Sequence, residues 1–233
     1  MDASMVYWYL KNHKLFEVLS NEEIKQLQII SNYKQIRKNE LLFFSGEENK
    51  RLYIVKEGIL KICHQDEQGE EIITELLSDH DIFGYLYFSP LYVSAPGQYA
   101  KALSEEVKIC TFEAKHLLHL LQQNPALMLR YSGYMGEKFV MMQEKYSNLI
   151  FKTVRERVID FFRKYIEHHG QQRSDGSVEV ELVLTQQEIA DYVAASRQSI
   201  VAIIGQLEQE EMIVFKGRKK LLVPKPERLL HAK

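Results

Sequence analysis

Only two cysteines occur in the 233 residues, Cys63 and Cys110, and they stand far apart and outside any C-x-x-C spacing. A four-cysteine iron–sulfur site within one subunit is therefore excluded, and so sparse a cysteine content suits a reducing cytoplasm. Long apolar runs are also missing. The longest early one, Met5 to Leu10, is too short for a signal-peptide core or a membrane span, so a cytoplasmic protein with no membrane partner is expected. Net charge is small: 30 Lys and Arg against 32 Asp and Glu leave −2 at pH 7. There is no global attraction to nucleic acid, and any such surface must be local. Nothing reads as G-x-S-x-G, a P-loop or H-E-x-x-H. In the strand-rich region the histidines are His64 and His80, too widely separated for the His-x-His group of a cupin-type metal enzyme. No catalytic or metal site is expected. What remains is ordinary globular composition, 45% hydrophobic and 27% charged, enough for one large domain or two modest ones.

Three sections follow one another. From Tyr9 to Ser31 the apolar spacing is helical, with Ser20 placed to cap a helix carrying Ile24, Leu27 and Ile30. From Tyr33 to Phe112 short β-branched or aromatic runs are punctuated by Gly46, Gly58, Gly69 and Gly84, which supply positive-φ turns between short antiparallel strands. That pattern predicts a small barrel or jelly roll, with a hairpin tip at Asp66–Gly69. Beyond Glu113 the chain turns helical again, and Pro125 suits the first turn of a long helix. On it Met128, Met135, Met142 and Leu149 recur every seven residues, with Tyr131, Phe139 and Tyr146 beside that seam. A sustained seven-residue repeat predicts one helix packing along another; the alternative is a helix lying on its own barrel. Gly133 and Gly136 weaken the helix but permit close approach of backbones.

The last section contains "LTQQEIADYVAASRQSIVAIIGQLEQEEMI". Thr185 followed by Glu188 is a capping box that starts a helix at Gln186, with Ile189 and Val193 inward and Ala190 small where helices cross. Ala194–Ala195 makes a tight connection and Ser196 caps a second helix, whose Ile200, Ile203, Ile204 and Leu207 face inward. Arg197, Gln198, Ser199 and Ala202 are left outward near its start. This is a helix-turn-helix pattern, although an ordinary αα-corner has the same outline. "MIVFKGRKKLLVP" then reads as a two-stranded wing, and Lys216, Arg218, Lys219 and Lys220 give it the local positive charge that phosphate contacts need.

A glycine-punctuated roll, a long helix, this motif and a wing, in that order over nearly the whole chain, resemble the Crp/Fnr superfamily. The stretches "GEENKRLYIVKEGILKI" and "LTQQEIADYVAASRQSI" carry the resemblance. It implies an α+β fold with a β-roll over 1–122, a dimerisation helix over 123–151 and a winged helix-turn-helix over 152–233. It further implies a homodimeric transcription regulator of double-stranded DNA, with RNA polymerase as a further partner. The helix seam would pair across the dimer. Thr185, Gln186, Ser196, Arg197, Gln198, Ser199, Ala202, Arg218, Lys219 and Lys220 would meet DNA.

The family's nucleotide-holding groups are replaced. Where cyclic-AMP-binding relatives read Phe-Gly-Glu-Leu, this chain has Phe83-Gly84-Tyr85-Leu86, and Pro96-Gly97 stands in place of the phosphate-holding Arg-Ser. On the long helix Met142-Gln143 replaces a Thr-Ser pair. A buried cyclic phosphate without arginine leaves an uncompensated charge, so cyclic AMP is not the expected effector. Tyr85, Leu86, Tyr99, Met142 and Gln143 remain as lining for a different effector, in a region that Tyr87, Phe88 and Tyr92 make unusually aromatic. A haem- or gas-sensing member of the same fold is the alternative regulator. A protein-binding adaptor is the alternative outside DNA recognition.

Overall fold

Two short helices, α1 (Ala3–Lys11) and α2 (Asn21–Ile29), open the computed structural model, which describes residues 3–43, 51–65, 68–84, 98–217 and 219–230. Ser20 starts α2 as its spacing predicts. Its hydroxyl accepts from the Glu23 amide at 3.2 Å, while the Glu23 carboxylate accepts from the Ser20 amide at 2.8 Å. Among the described residues eight strands follow: β1 (Asn32–Arg37), β2 (Leu41–Phe43), β3 (Arg51–Glu57), β4 (Leu60–Gln65), β5 (Glu71–Leu77), β6 (Ile82–Gly84), β7 (Gln98–Ala102) and β8 (Glu106–Glu113). They pair antiparallel in two sheets, β1-β8-β3-β6 and β2-β7-β4-β5. Alternation along β3 divides the core. Tyr53 and Val55 join Ile36, Leu60, Ile62 and Ala100 in one buried cluster. Leu52 and Ile54 join Leu10, Phe16, Leu27 and Phe112 in another, which α3 (Ala114–Gln123) and α4 (Pro125–Phe151) complete through Leu117 and Leu127. Gly58 and Gly84 are obligatory. Their φ values are 92° and 104°, and a Cβ would lie 2.6 Å from the Glu106 carbonyl oxygen or 2.5 Å from that of Arg51. Gly46, Asp66 and Glu67 lie outside the described residues.

The chain clusters into two compact units, Met1–Val140 and Met141–Lys233, with the division inside α4. The second unit continues with α5 (Val154–His169), β9 (Gln171–Gln172), β10 (Val178–Glu181), α6 (Gln186–Val193), α7 (Arg197–Gln209), β11 (Val214–Lys216), β12 (Lys220–Val223) and α8 (Pro226–Leu230). Its sheet runs β11-β12-β10-β9. The fold is thus α+β: a β-roll, a 27-residue helix and a winged helix-turn-helix.

The seam of α4 needs one correction. Tyr131 is buried in its own unit's core, and Met128 packs partly against the same cluster. The first turns of α4 lie on the roll, so the seven-residue repeat begins against the chain's own barrel. Met135, Phe139, Met142, Tyr146 and Leu149 are exposed. A Cβ at Gly133 or Gly136 would meet nothing within 4 Å among the described residues.

The turn between β5 and β6 is gripped from two elements. On one side His13 holds it: its Nδ1 accepts from the Leu15 amide at 3.2 Å, which leaves Nε2 protonated to donate to the His80 carbonyl at 2.9 Å. His80 itself sits in the left-handed region at φ 72°, with its ring stacked on Tyr9 at 5.6 Å. On the other side α4 supplies Tyr134, whose hydroxyl donates to the Ile82 carbonyl at 3.0 Å. Lys138 is bonded to the Glu75 carboxylate and lies 3.3 Å from Asp81 Oδ1. Burial alone would lower the Lys138 ammonium, but the two carboxylates hold it above its ordinary value.

His13 is only 3% exposed, and burial lowers its pKa to about 4. Below pH 6.5 the unfolded chain takes up a proton that the folded chain refuses until about pH 4. Stability is therefore complete above pH 6.5 and is lost as pH falls through that window, by about 3 kcal/mol at the limit. Unfolding followed by Trp8 fluorescence between pH 7 and pH 4 should show this slope, and His13→Gln should remove that share of it.

Candidate nucleic-acid interface

Three caps frame α6 and α7. Thr185 Oγ1 accepts from the Glu188 amide at 3.2 Å, and Glu188 returns the bond to the Thr185 amide at 2.8 Å. α6 then presents Ile189, Ala190 and Val193 to the core. It ends at Ala194, which adopts the left-handed conformation (φ 55°, ψ 64°), a strained choice for a residue with a Cβ. The third cap is Ser196, whose hydroxyl accepts from the Ser199 amide at 3.1 Å and lies 2.8 Å from the Ser199 hydroxyl. From there α7 buries Ile200, Ile203, Ile204 and Leu207.

The turn between the helices is held by a residue that local sequence patterns do not reveal. Arg157, on α5, donates from Nε to the Val193 carbonyl at 2.9 Å and from Nη2 to the Ala194 carbonyl at 3.0 Å. Its Nη1 donates to the Lys152 carbonyl at 2.8 Å, one residue beyond the end of α4. One planar guanidinium thereby satisfies carbonyls left open at the ends of two helices.

Arg197, Gln198 and Ala202 are exposed on α7, and Ser199 is half-buried with its hydroxyl beside Ser196. Thr185, Gln186 and Arg197 line one open groove of about 680 Å³, together with Glu208, Phe215 and Gly217 at the wing. The helix starts and the wing thus converge on a common concavity. Glu208 and Phe215 were not anticipated. Glu208 recurs eleven residues after Arg197, close to three helical turns, which was the available signal. In the wing β11 and β12 pair from Val214↔Leu222 to Lys216↔Lys220. Lys216, Lys219 and Lys220 are exposed, and Lys220 Nζ is 3.5 Å from the Glu179 carboxylate. Arg218 lies outside the described residues.

Of the effector-pocket candidates, Tyr99, Met142 and Gln143 lie among the described residues. Tyr85 and Leu86, with Tyr87, Phe88, Tyr92 and Pro96-Gly97, lie outside the described residues. Tyr99 is placed by its register in β7, opposite Cys63 of β4. In β7 its neighbour Ala100 points into the inter-sheet core, so Tyr99 occupies the opposite face and its hydroxyl donates to Glu71. Lys61 donates to the same carboxylate at 2.6 Å, and the Cys63 thiol donates to it at 3.3 Å. Burial would raise Glu71, but the hydrogen bonds from Lys61 and Tyr99 hold it below its ordinary value. Met142 and Gln143 are exposed on α4. Among the described residues no group of three His, Cys, Asp or Glu is placed to hold a metal ion, and no helix is long and apolar enough to cross a membrane.

Comparison with known proteins supplies independent matches. A family model described as a cyclic nucleotide-binding domain matches residues 33–124, and one described as a Crp-like helix-turn-helix domain matches residues 156–232. The chain is 24% identical to the anaerobic regulatory protein of Bacillus subtilis over 91% of its length and 88% of that protein. It is 27% identical to the cAMP-activated global transcriptional regulator CRP of Salmonella typhimurium over 76% of the chain and 82% of that protein. Among solved structures, a CooA mutant from Carboxydothermus hydrogenoformans aligns with a TM-score of 0.73 at 20% identity, covering 95% of this chain and 96% of that one. FixK2 from Bradyrhizobium japonicum aligns with a TM-score of 0.74 at 17% identity, covering 86% and 96%.

Lysine in place of Arg157 keeps the charge but cannot span three carbonyls. Charge-assisted hydrogen bonds of this kind contribute about 1.5–3 kcal/mol each. Arg157→Lys should lower the stability of the second unit by about 2 kcal/mol or more in urea unfolding, with the roll unaffected.

Proposed function

We propose that the chain is a transcription regulator of the Crp/Fnr superfamily that acts as a homodimer on an inverted-repeat DNA site, under an effector other than cyclic AMP. The observation that carries this reading is the convergence of α6, α7 and a lysine-bearing wing on one groove, in a protein whose net charge is −2. Arg197 lines the groove, and Lys216, Lys219 and Lys220 are exposed on the wing, where phosphate contacts would need them. Arg197, Gln198 and Ala202 are the base readers. Thr185, Gln186, Ser196, Ser199, Arg218, Lys219 and Lys220 meet the backbone and set register. Arginine pairs in bidentate fashion with guanine and glutamine with adenine, and the Ala202 methyl suits thymine. In this reading the protein is cytoplasmic, works with RNA polymerase and catalyses nothing.

The effector half of the proposal rests on the sequence. A glutamate and an arginine that would hold a cyclic nucleotide are Tyr85 and Pro96 here. The name of the Salmonella relative includes activation by cAMP, and that property is not carried over.

Dimerisation rests on the apolar strip Met135, Phe139, Met142, Tyr146 and Leu149, which the chain's own packing leaves exposed. Such a seam is buried by pairing with a second copy. Met135→Glu combined with Met142→Glu should give monomers in sedimentation, and a variant that stays dimeric would remove this interface. DNA reading is tested by titrating duplexes at several salt concentrations. Arg197→Ala should relax specificity at one base pair, worth roughly 1–3 kcal/mol. Lys219→Ala should weaken all sequences alike and reduce the salt slope by about one. Equal loss on every sequence for Arg197→Ala would make Arg197 a phosphate contact.

A further inference from the structure

The outward face of α7 is low and nearly uncharged. Gln198, Val201, Ala202 and Gly205 follow at helical spacing, opposite the buried Ile200, Ile203, Ile204 and Leu207. Val201 is 45% exposed, although a β-branched residue favours neither a helix nor water. Gly205 is harder to explain from within. It sits in the helix interior, where glycine is destabilising relative to alanine, and a Cβ there would meet nothing within 4 Å among the described residues. The fold does not ask for a glycine at this position. A body approaching from outside does.

On the reading that α7 lies in the major groove, both oddities have one cause. The groove is about 12 Å wide and a helix with its side chains measures about 10–12 Å, so the bulk of the outward side chains sets how deep the helix sits. A bare position at 205 lets the backbone approach, and a short side chain at 201 then reaches base edges. Valine can neither donate nor accept a hydrogen bond. The one apolar group that the groove floor offers is the C5-methyl of thymine. We propose that Val201 reads the 5-methyl group of a thymine in each half-site, and that Gly205 sets the depth which makes this contact possible. Adjacent Ala202 extends the same apolar strip, so discrimination along this part of the half-site is by methyl groups and not by hydrogen bonds.

This inference rests on the proposed reading of DNA by α7, and the experiment separates the two. Half-sites are first selected from a pool of random duplexes with the full-length protein. Each thymine of the selected site is then replaced, one at a time, by deoxyuridine, which changes nothing but the methyl. One replacement should weaken the wild-type protein about fourfold, the value of one buried methyl. In Val201→Ser, whose side chain is exposed and whose folding is checked by its melting temperature, that penalty should vanish while penalties elsewhere stay. Gly205→Ala should raise the melting temperature by a few degrees and yet weaken binding to every selected duplex. Deoxyuridine bound as well as thymine at all positions, or a penalty that persists in Val201→Ser, would overturn the role of Val201. Unchanged binding by Gly205→Ala would overturn the role of Gly205. A protein that selects no half-site at all would instead sink the DNA-reading proposal on which both stand.

Discussion

The direction in which α7 leaves its turn is set by a single guanidinium. Arg157 collects the carbonyls of Val193 and Ala194 from one helix end and that of Lys152 from just beyond another. Without it these acceptors, next to a residue already strained into the left-handed region, would have only water. The capping bonds at Thr185 and Ser196 are local and place each helix start. The Arg157 fork is long-range, 36 and 37 residues in sequence, and holds the two helices in one orientation. Further ties bind the last turns of α4 to the same unit: Lys145 lies over the Tyr192 ring at 4.2 Å, and Lys152 pairs with Asp160. The end of the long helix is thereby part of the winged helix-turn-helix unit.

What could be read from the sequence follows from how local the cause is. The cap at Ser20 and the capping box at Thr185 depend on residues three apart, and both form. Glycines of the roll were legible because positive φ is a property of one residue, as Gly58, Gly69 and Gly84 bear out. The wing was legible because β11 and β12 are joined by a short turn around Gly217. Arg157 was not, since nothing in "TVRER" marks which of its two arginines turns inward. The surroundings of Tyr99 were not legible for a related reason. An aromatic residue in a strand can face either side of its sheet, and only the register against β4 decides which.

The long helix shows how one periodicity can serve two partners. Tyr131 and Met128 obey the repeat and yet are taken up by the roll, with Tyr134 and Lys138 holding the β5–β6 turn from the adjoining face. Further along, Met135 and Phe139 of the same apolar line are exposed. Heptad spacing registers that an apolar line exists. It carries no mark of where the chain's own packing stops and another surface must take over.

The two thiols have a consequence for what kind of signal the roll can register. Cys63 and Cys110 are both buried, and burial raises both, Cys63 to about 12 with the Glu71 carboxylate adding to the effect. Oxidants and electrophiles attack the thiolate, and a thiol held so far above neutral pH has almost none of it. At neutral pH neither sulfur presents much thiolate, and a reagent reaches either one only when the surrounding core opens.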